Sequence, residues 1–147
     1  MPSASRAGPR PGARQRRRGG ALLVAALGSY CATVAGNDVF VVCHVDVSLR
    51  SAEVREVFVG EKDFAGSVRL IPADNLAAQP AFLDRVLKVG LDKYNGLWIK
   101  KSFRDGSSPP LVKGSDAEAI SYVRHTPGAC SYVRIAPPEG VAVVARF

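Results

Sequence analysis

The chain has 147 residues, 47% hydrophobic and 22% charged, which suits one globular domain and leaves no room for two large ones. Its formal charge of +7 is unevenly placed: six of the 20 basic residues fall within the first 20 positions, and all 13 acidic residues follow Gly36. Beyond Gly36, 14 bases face 13 acids, and a balance of +1 argues against a nucleic-acid partner held by bulk charge.

The first segment, residues 1–35, reads as a leader. A basic start ending in "RQRRRGG" is followed by the uncharged "ALLVAALGSYCATVA" from Ala21 to Ala35, with Thr33 and Ala35 placed for cleavage before Gly36. Fifteen uncharged residues are fewer than a membrane span needs. A secretory signal peptide is therefore expected, with a periplasmic or secreted product that keeps no stable membrane span after processing. An uncleaved anchor, a disordered basic arm and a start codon placed too early remain as alternatives.

Residues 36–147 form the expected domain. "DVFVVCHV" is a β-branched and aromatic run of strand length. In "SAEVREVFVG", Ser51 is placed to cap a short helix whose Val54, Val57 and Phe58 share a face, with Gly60 at its end. "SVRLIPA" predicts a second strand, ended by Pro72. Pro80 then opens a helix with Phe82, Leu83, Val86 and Leu87 inward and Gly90 as its stop. "DKYNGLWIKKSF" predicts a helix with Tyr94, Leu97 and Trp98 on one side, and "RDGSSPP" a turn-rich loop. Ser115 and Glu118 make a capping box for "SDAEAISYVRH", and two strands follow, "ACSYVRI" and "GVAVVARF". Strands and helices mixed in this order predict an α/β domain with a mixed sheet flanked by helices.

Taken together, "SAEVREVFVGEK", "RLIPAD", "FLDRVL", Trp98 and "SDAEAISYVRHTPGACSYV" resemble the small periplasmic-binding-protein-like domains related to the phosphate-binding components of ABC transporters. The resemblance covers about 110 residues and rests on the order and spacing of the motifs. It implies a single lobe of the type II periplasmic-binding-protein fold that captures a solute and does no chemistry on it. An ABC transporter or another envelope protein is the partner it implies.

The loop that grips phosphate in that family departs from the pattern here. Relatives place an Arg and a Ser-Gly-Thr group before the "F-x-x-x-V-L" helix, whereas this chain has Asp74, Asn75, Leu76, Ala77, Ala78, Gln79, Pro80 and Ala81. Without hydroxyls or cations the loop is a poor phosphate grip. A small anion or polar solute is instead expected near Asn75 and Gln79, joined by Arg104, Ser107 and Ser108 of "FRDGSSPP", whose residue types suit an anion cradle. An envelope interaction module that has lost its ligand site is the other reading.

The remaining polar residues point to no chemistry. On a strand His44 and Asp46 share one face and Cys43 the other, so "CHVD" makes no thiol–imidazole dyad, and no spaced ligand set suggests a metal or a cofactor. Glu53, Glu56, Glu61 and Asp63 read as solvated carboxylates. Cys43 and Cys130 either pair as a disulfide in an oxidising compartment or fill neighbouring strands as small hydrophobes.

Overall fold

The computed structural model describes residues 36–147, together with Gly8 and Gly12. The expected leader lies outside the described residues. Strand β1 (Phe40–Cys43) is an interior strand of the sheet, where Val41 and Cys43 face one side and Phe40 and Val42 the other. An almost continuous apolar run suits it, because both faces are covered.

After β1 the chain makes one 3-10 turn, Ser51–Glu53, and enters helix α1 (Val54–Phe58). Ser51 does not cap it. The Glu53 carboxylate accepts hydrogen bonds from the Arg50 amide at 2.9 Å and the Arg50 guanidinium at 3.2 Å, and so closes the turn one residue earlier. Gly60 ends the helix at φ 74°, a left-handed conformation in which a Cβ would also meet Trp98 and Lys101 within 3 Å. A two-stranded hairpin of β2 (Phe64–Ala65) and β3 (Val68–Arg69) follows, turning through Gly66.

Strand β4 (Ile71–Asn75) corrects the expectation that Pro72 ends a strand. Ile71 N donates to Gly128 O on one side, so the nitrogen of Pro72 faces the other side. The neighbour there, β5 (Leu111–Lys113), pairs only with Ala73 to Asn75. Pro72 therefore removes no ladder hydrogen bond.

Helix α2 (Gln79–Phe82) runs into a single π turn, Leu83–Leu87, and stops at Lys88 with φ 56°, two residues before the expected Gly90. Gly90 is extended and precedes α3 (Leu91–Asp105), which buries Tyr94 and Trp98. Helix α4 (Asp116–His125) is capped by Ser115 Oγ, which accepts from Glu118 N at 3.2 Å; Glu118 Oε2 accepts from Gly114 N at 2.9 Å, one residue ahead of the expected box partner. Strands β6 (Ala129–Val133) and β7 (Ala142–Arg146) complete the described elements.

The mixed five-stranded sheet has the order β5-β4-β6-β1-β7. β4 is parallel to β5 and β6, whereas β1 is antiparallel to β6 and β7. Residues from α1, α2 and α3 form the larger core on one face with Val41, Cys43 and Tyr132, and α4 packs Ala119, Ile120 and Val123 against Val42, Ala129 and Val133 on the other. At the centre of the larger core Phe82 stacks on Tyr132 at 3.9 Å between ring centroids, and Phe58 meets both rings edge-on. Each such ring contributes roughly 1.5–3 kcal/mol by leaving water. Cys43 and Cys130 are register partners across β1 and β6, fully buried, and joined as a disulfide.

Candidate functional site

The strand-to-helix junction after β4 carries the residues expected to hold a solute, and most of them point inward. Asp74 is 5% exposed, and its Oδ1 accepts the hydroxyls of Tyr94 at 2.9 Å and Tyr132 at 3.0 Å. Burial pushes the Asp74 carboxyl above its ordinary value, and the two tyrosine hydrogen bonds pull it partly back. Burial and the nearby Asp74 charge in turn hold both tyrosines in the phenol form.

Asn75 is fully buried. Its Nδ2 donates to Tyr132 O at 3.0 Å and to Asp116 Oδ1 at 2.6 Å, and its Oδ1 accepts from Ala77 N at 3.1 Å. Asp116 Oδ2 accepts from Arg134 N at 3.2 Å. A carboxylate of the chain itself thus sits between the Asn75 amide and a strand-end backbone amide. No side-chain donor of Asn75 remains for a solute.

Gln79 stands apart from this junction. It lines an open, mainly apolar hollow of about 700 Å³ with Leu83, Val89 and Leu91, where Asp84 and Lys88 are the charged neighbours. Arg104 lies on the exposed side of α3 and is engaged by Asp105 through two hydrogen bonds of 2.6 and 3.0 Å. That guanidinium, with a further contribution from Lys101, holds the Asp105 carboxyl at about 2.

Ser107 and Ser108 do line a cleft. It measures about 500 Å³ and lies between the β2–β3 hairpin, the C-terminal half of α3 and the loop that leads to β5. Gly106 turns the chain out of α3 at φ 68°, and Ser102 Oγ, with one proton to donate, lies 2.7 Å from Ser107 O and 2.9 Å from Trp98 O, which holds the serine loop against the helix. One part of the cleft wall is apolar, made by Leu70, Pro72, Trp98, Pro109 and Pro110. Trp98 is anchored by Nε1, which donates to Phe58 O at 3.1 Å.

The charged lining of the cleft consists of Lys62, Asp63, Arg69 and Lys101. Lys62 pairs with Glu53 at 3.3 Å and Lys101 with Asp105 at 3.2 Å. The Arg50 hydrogen bonds, with help from Lys62, hold Glu53 at about 2, so this carboxylate stays ionised across the ordinary pH range. Among the described residues Arg69 and Asp63 have no ion-pair partner. No protein-family model matches the chain, and no curated protein sequence matches it.

Of the sequence-expected site residues, the structure thus brings Ser107 and Ser108 together in the cleft and leaves Asn75, Gln79 and Arg104 elsewhere. The residues missed were Lys62, Asp63, Arg69 and Lys101. Only the pairing of a hairpin with a distant helix assembles them, although Gly66 between two short apolar runs was a legible turn signal. His44 Nδ1 lies 2.6 Å from Asp46 Oδ1, which also accepts from Gly128 N at 3.2 Å. Desolvation pushes the Asp46 carboxyl up, but the hydrogen bonds from His44 and the Gly128 amide and the His44 charge together outweigh it and leave Asp46 below its ordinary value. These contacts tie the end of β1 to the turn before β6. Among the described residues no group of His, Cys, Asp and Glu side chains is placed to hold a metal ion.

Proposed function

We propose that this chain is an exported, non-enzymatic solute-binding domain of the type II periplasmic-binding-protein kind, a single lobe that takes a small anion or polar solute in the hairpin cleft. The observation that carries the reading is the cleft itself. Arg69, which has no ion-pair partner among the described residues, lines about 500 Å³ together with Ser107, Ser108 and an apolar wall, a volume and lining within the range of small-molecule sites. The mixed sheet with helices on both faces is compatible with such a lobe.

Phosphate is disfavoured at the β4 junction, where Asp116 already faces the Asn75 amide. Isothermal titration of residues 36–147 with phosphate, sulfate and small organic acids and zwitterions tests the proposal. Heat with at least one solute, lost in Arg69→Gln, is the expected result; no heat with any of them removes it. Export is tested by mass spectrometry of the mature chain, which should begin at Gly36.

A second reading is an envelope interaction module serving an ABC transporter or another partner without carrying a solute. The internally satisfied β4 junction favours it. Pull-down from envelope extracts separates the two readings, because a contact module keeps its partner when Arg69→Gln has emptied the cleft of its free cation.

A further inference from the structure

The outward face of α3 carries a pattern that neither the core nor the cleft uses. Gly96, Ile99 and Phe103 follow one another at i, i+3 and i+7 and stand opposite Tyr94 and Trp98, with which the helix enters the core. Ile99 is 56% exposed and Phe103 89%, more than any other large apolar residue among those described. Single exposed apolar residues are ordinary, whereas these two are neighbours at i and i+4 on one ridge.

Cations flank that ridge on one side. Lys93, Lys100 and Arg104 succeed one another at i, i+7 and i+11, and all three are exposed. Arg104 shares Asp105 with Lys101, whereas Lys93 and Lys100 have no ion-pair partner among the described residues. The helix dipole favours Arg104 in the last turn, but it works against Lys93 in the first. With four bases and two acids in α3, against ten and eleven in the rest of residues 36–147, the positive surplus of the domain lies on this helix.

A second copy is poorly matched to this face. An antiparallel two-fold pairing of α3 with its counterpart would set the lysine flank against the same flank, like charge against like. A small solute is poorly matched too, since neither hollow described above is lined by Ile99, Lys100 or Phe103. A convex ridge with an aromatic tip and lysines beside it suits an anionic lipid surface, which conforms to the ridge and meets long cationic side chains with headgroup charge. We propose that α3 docks the domain on an anionic membrane surface, with Ile99 and Phe103 entering the interface and Lys93 and Lys100 against the lipid phosphates. This contact is independent of the solute reading above.

Residues 34–147 form one compact unit that holds every described strand and helix, and residues 36–147 leave out the arginine-rich leader, whose own charge would bind such vesicles. The test floats residues 36–147 with vesicles of phosphatidylcholine alone, and of phosphatidylcholine with an equal part of phosphatidylglycerol, at low salt. Binding is expected to the anionic vesicles, at least about tenfold weaker to the neutral ones, and reduced by added salt that screens the lysines. Phe103→Ser should weaken it about fivefold or more, and Lys93→Glu with Lys100→Glu about tenfold or more, each with an unchanged melting curve because these side chains stand in solvent. Arg69→Gln, in the cleft, should leave it as it is. No binding, equal binding to neutral vesicles, or binding that survives both sets of changes overturns the proposal. Binding that needs the lysines but is indifferent to Phe103→Ser also overturns it, by reducing the face to a site for any acidic partner. So does a dimer in sedimentation equilibrium that Phe103→Ser disperses, since a second copy then covers the ridge.

Discussion

The β4 junction and the hairpin cleft are both polar, and they differ in what happens to their polar groups. At the junction the side chains are largely engaged by the chain: Asp74 Oδ1 by two tyrosines, and Asn75 by Tyr132, Ala77 and Asp116. In the cleft two lysines are engaged, whereas among the described residues the side chains of Arg69 and Asp63 and the hydroxyls of Ser107 and Ser108 have no partner. Polar residues at a strand end therefore do not by themselves make a site. The decisive quantity is the charge and hydrogen-bonding capacity left over once the fold has satisfied itself.

The largest effect is expected at Gly128, which packs against the hairpin where it enters β4. It adopts φ 78°, and a Cβ there would lie 2.0 Å from Arg69 O. Gly128→Ala forces the hairpin away from the sheet, and urea unfolding should show a loss of about 3 kcal/mol or more. Within the junction, Asn75→Ala leaves the Ala77 amide and the Tyr132 carbonyl without partners and Asp116 without its nearest donor. A loss of about 2–4 kcal/mol by the same measurement is expected, with no gain in solute binding.

Asp74 sharpens the contrast through pH. Its carboxyl is raised in the folded state, so the folded form holds the proton more firmly than the unfolded chain does. The stabilisation is full below the unfolded value near 3.8 and is lost as pH rises through the higher folded value. Glu53 and Asp105, held at about 2, act in the opposite sense and only while pH falls below their unfolded values. The urea midpoint of the parent should therefore carry a component that falls as pH rises from 3.8 through the higher folded value, and this component should be missing in Asp74→Asn, whose carbonyl still accepts both tyrosine hydroxyls. The smallest effect belongs to the cleft: Arg69→Gln and Asp63→Asn should change stability by less than about 0.5 kcal/mol, since neither side chain is held by the fold. A larger loss would mean that the cleft charges serve structure after all.

The elements that follow hydrophobic periodicity were legible from the residues: β1, the inward faces of α1 and α3, α4 with its Ser115 cap, and the last two strands. Three features were not. Pro72 sits inside β4 because β5 stops short of it, and β5 has only three residues, too few to show alternation. Lys88 ends the π turn in a left-handed conformation that sequence assigns to Gly. The cleft was illegible for a different reason. Its charges come from a hairpin with two-residue strands and from a helix some thirty residues later, and ion pairing with Glu53 and Asp105 decides which of them are left free.

The place of β1 between two late strands bears on how the domain folds. Its two neighbours are β6 and β7, and its cysteine finds a partner 87 residues away. Val39 and Phe147 exchange backbone hydrogen bonds at 3.0 and 2.9 Å beside the same strand. Until the distant strands arrive, an apolar segment with both edges bare has nothing to pair with. Such long-range pairing makes folding slow and exposes the segment to self-association meanwhile. A truncation that ends before β6 should therefore aggregate through Phe40–Cys43, and refolding of the whole domain should be limited by the capture of that one strand.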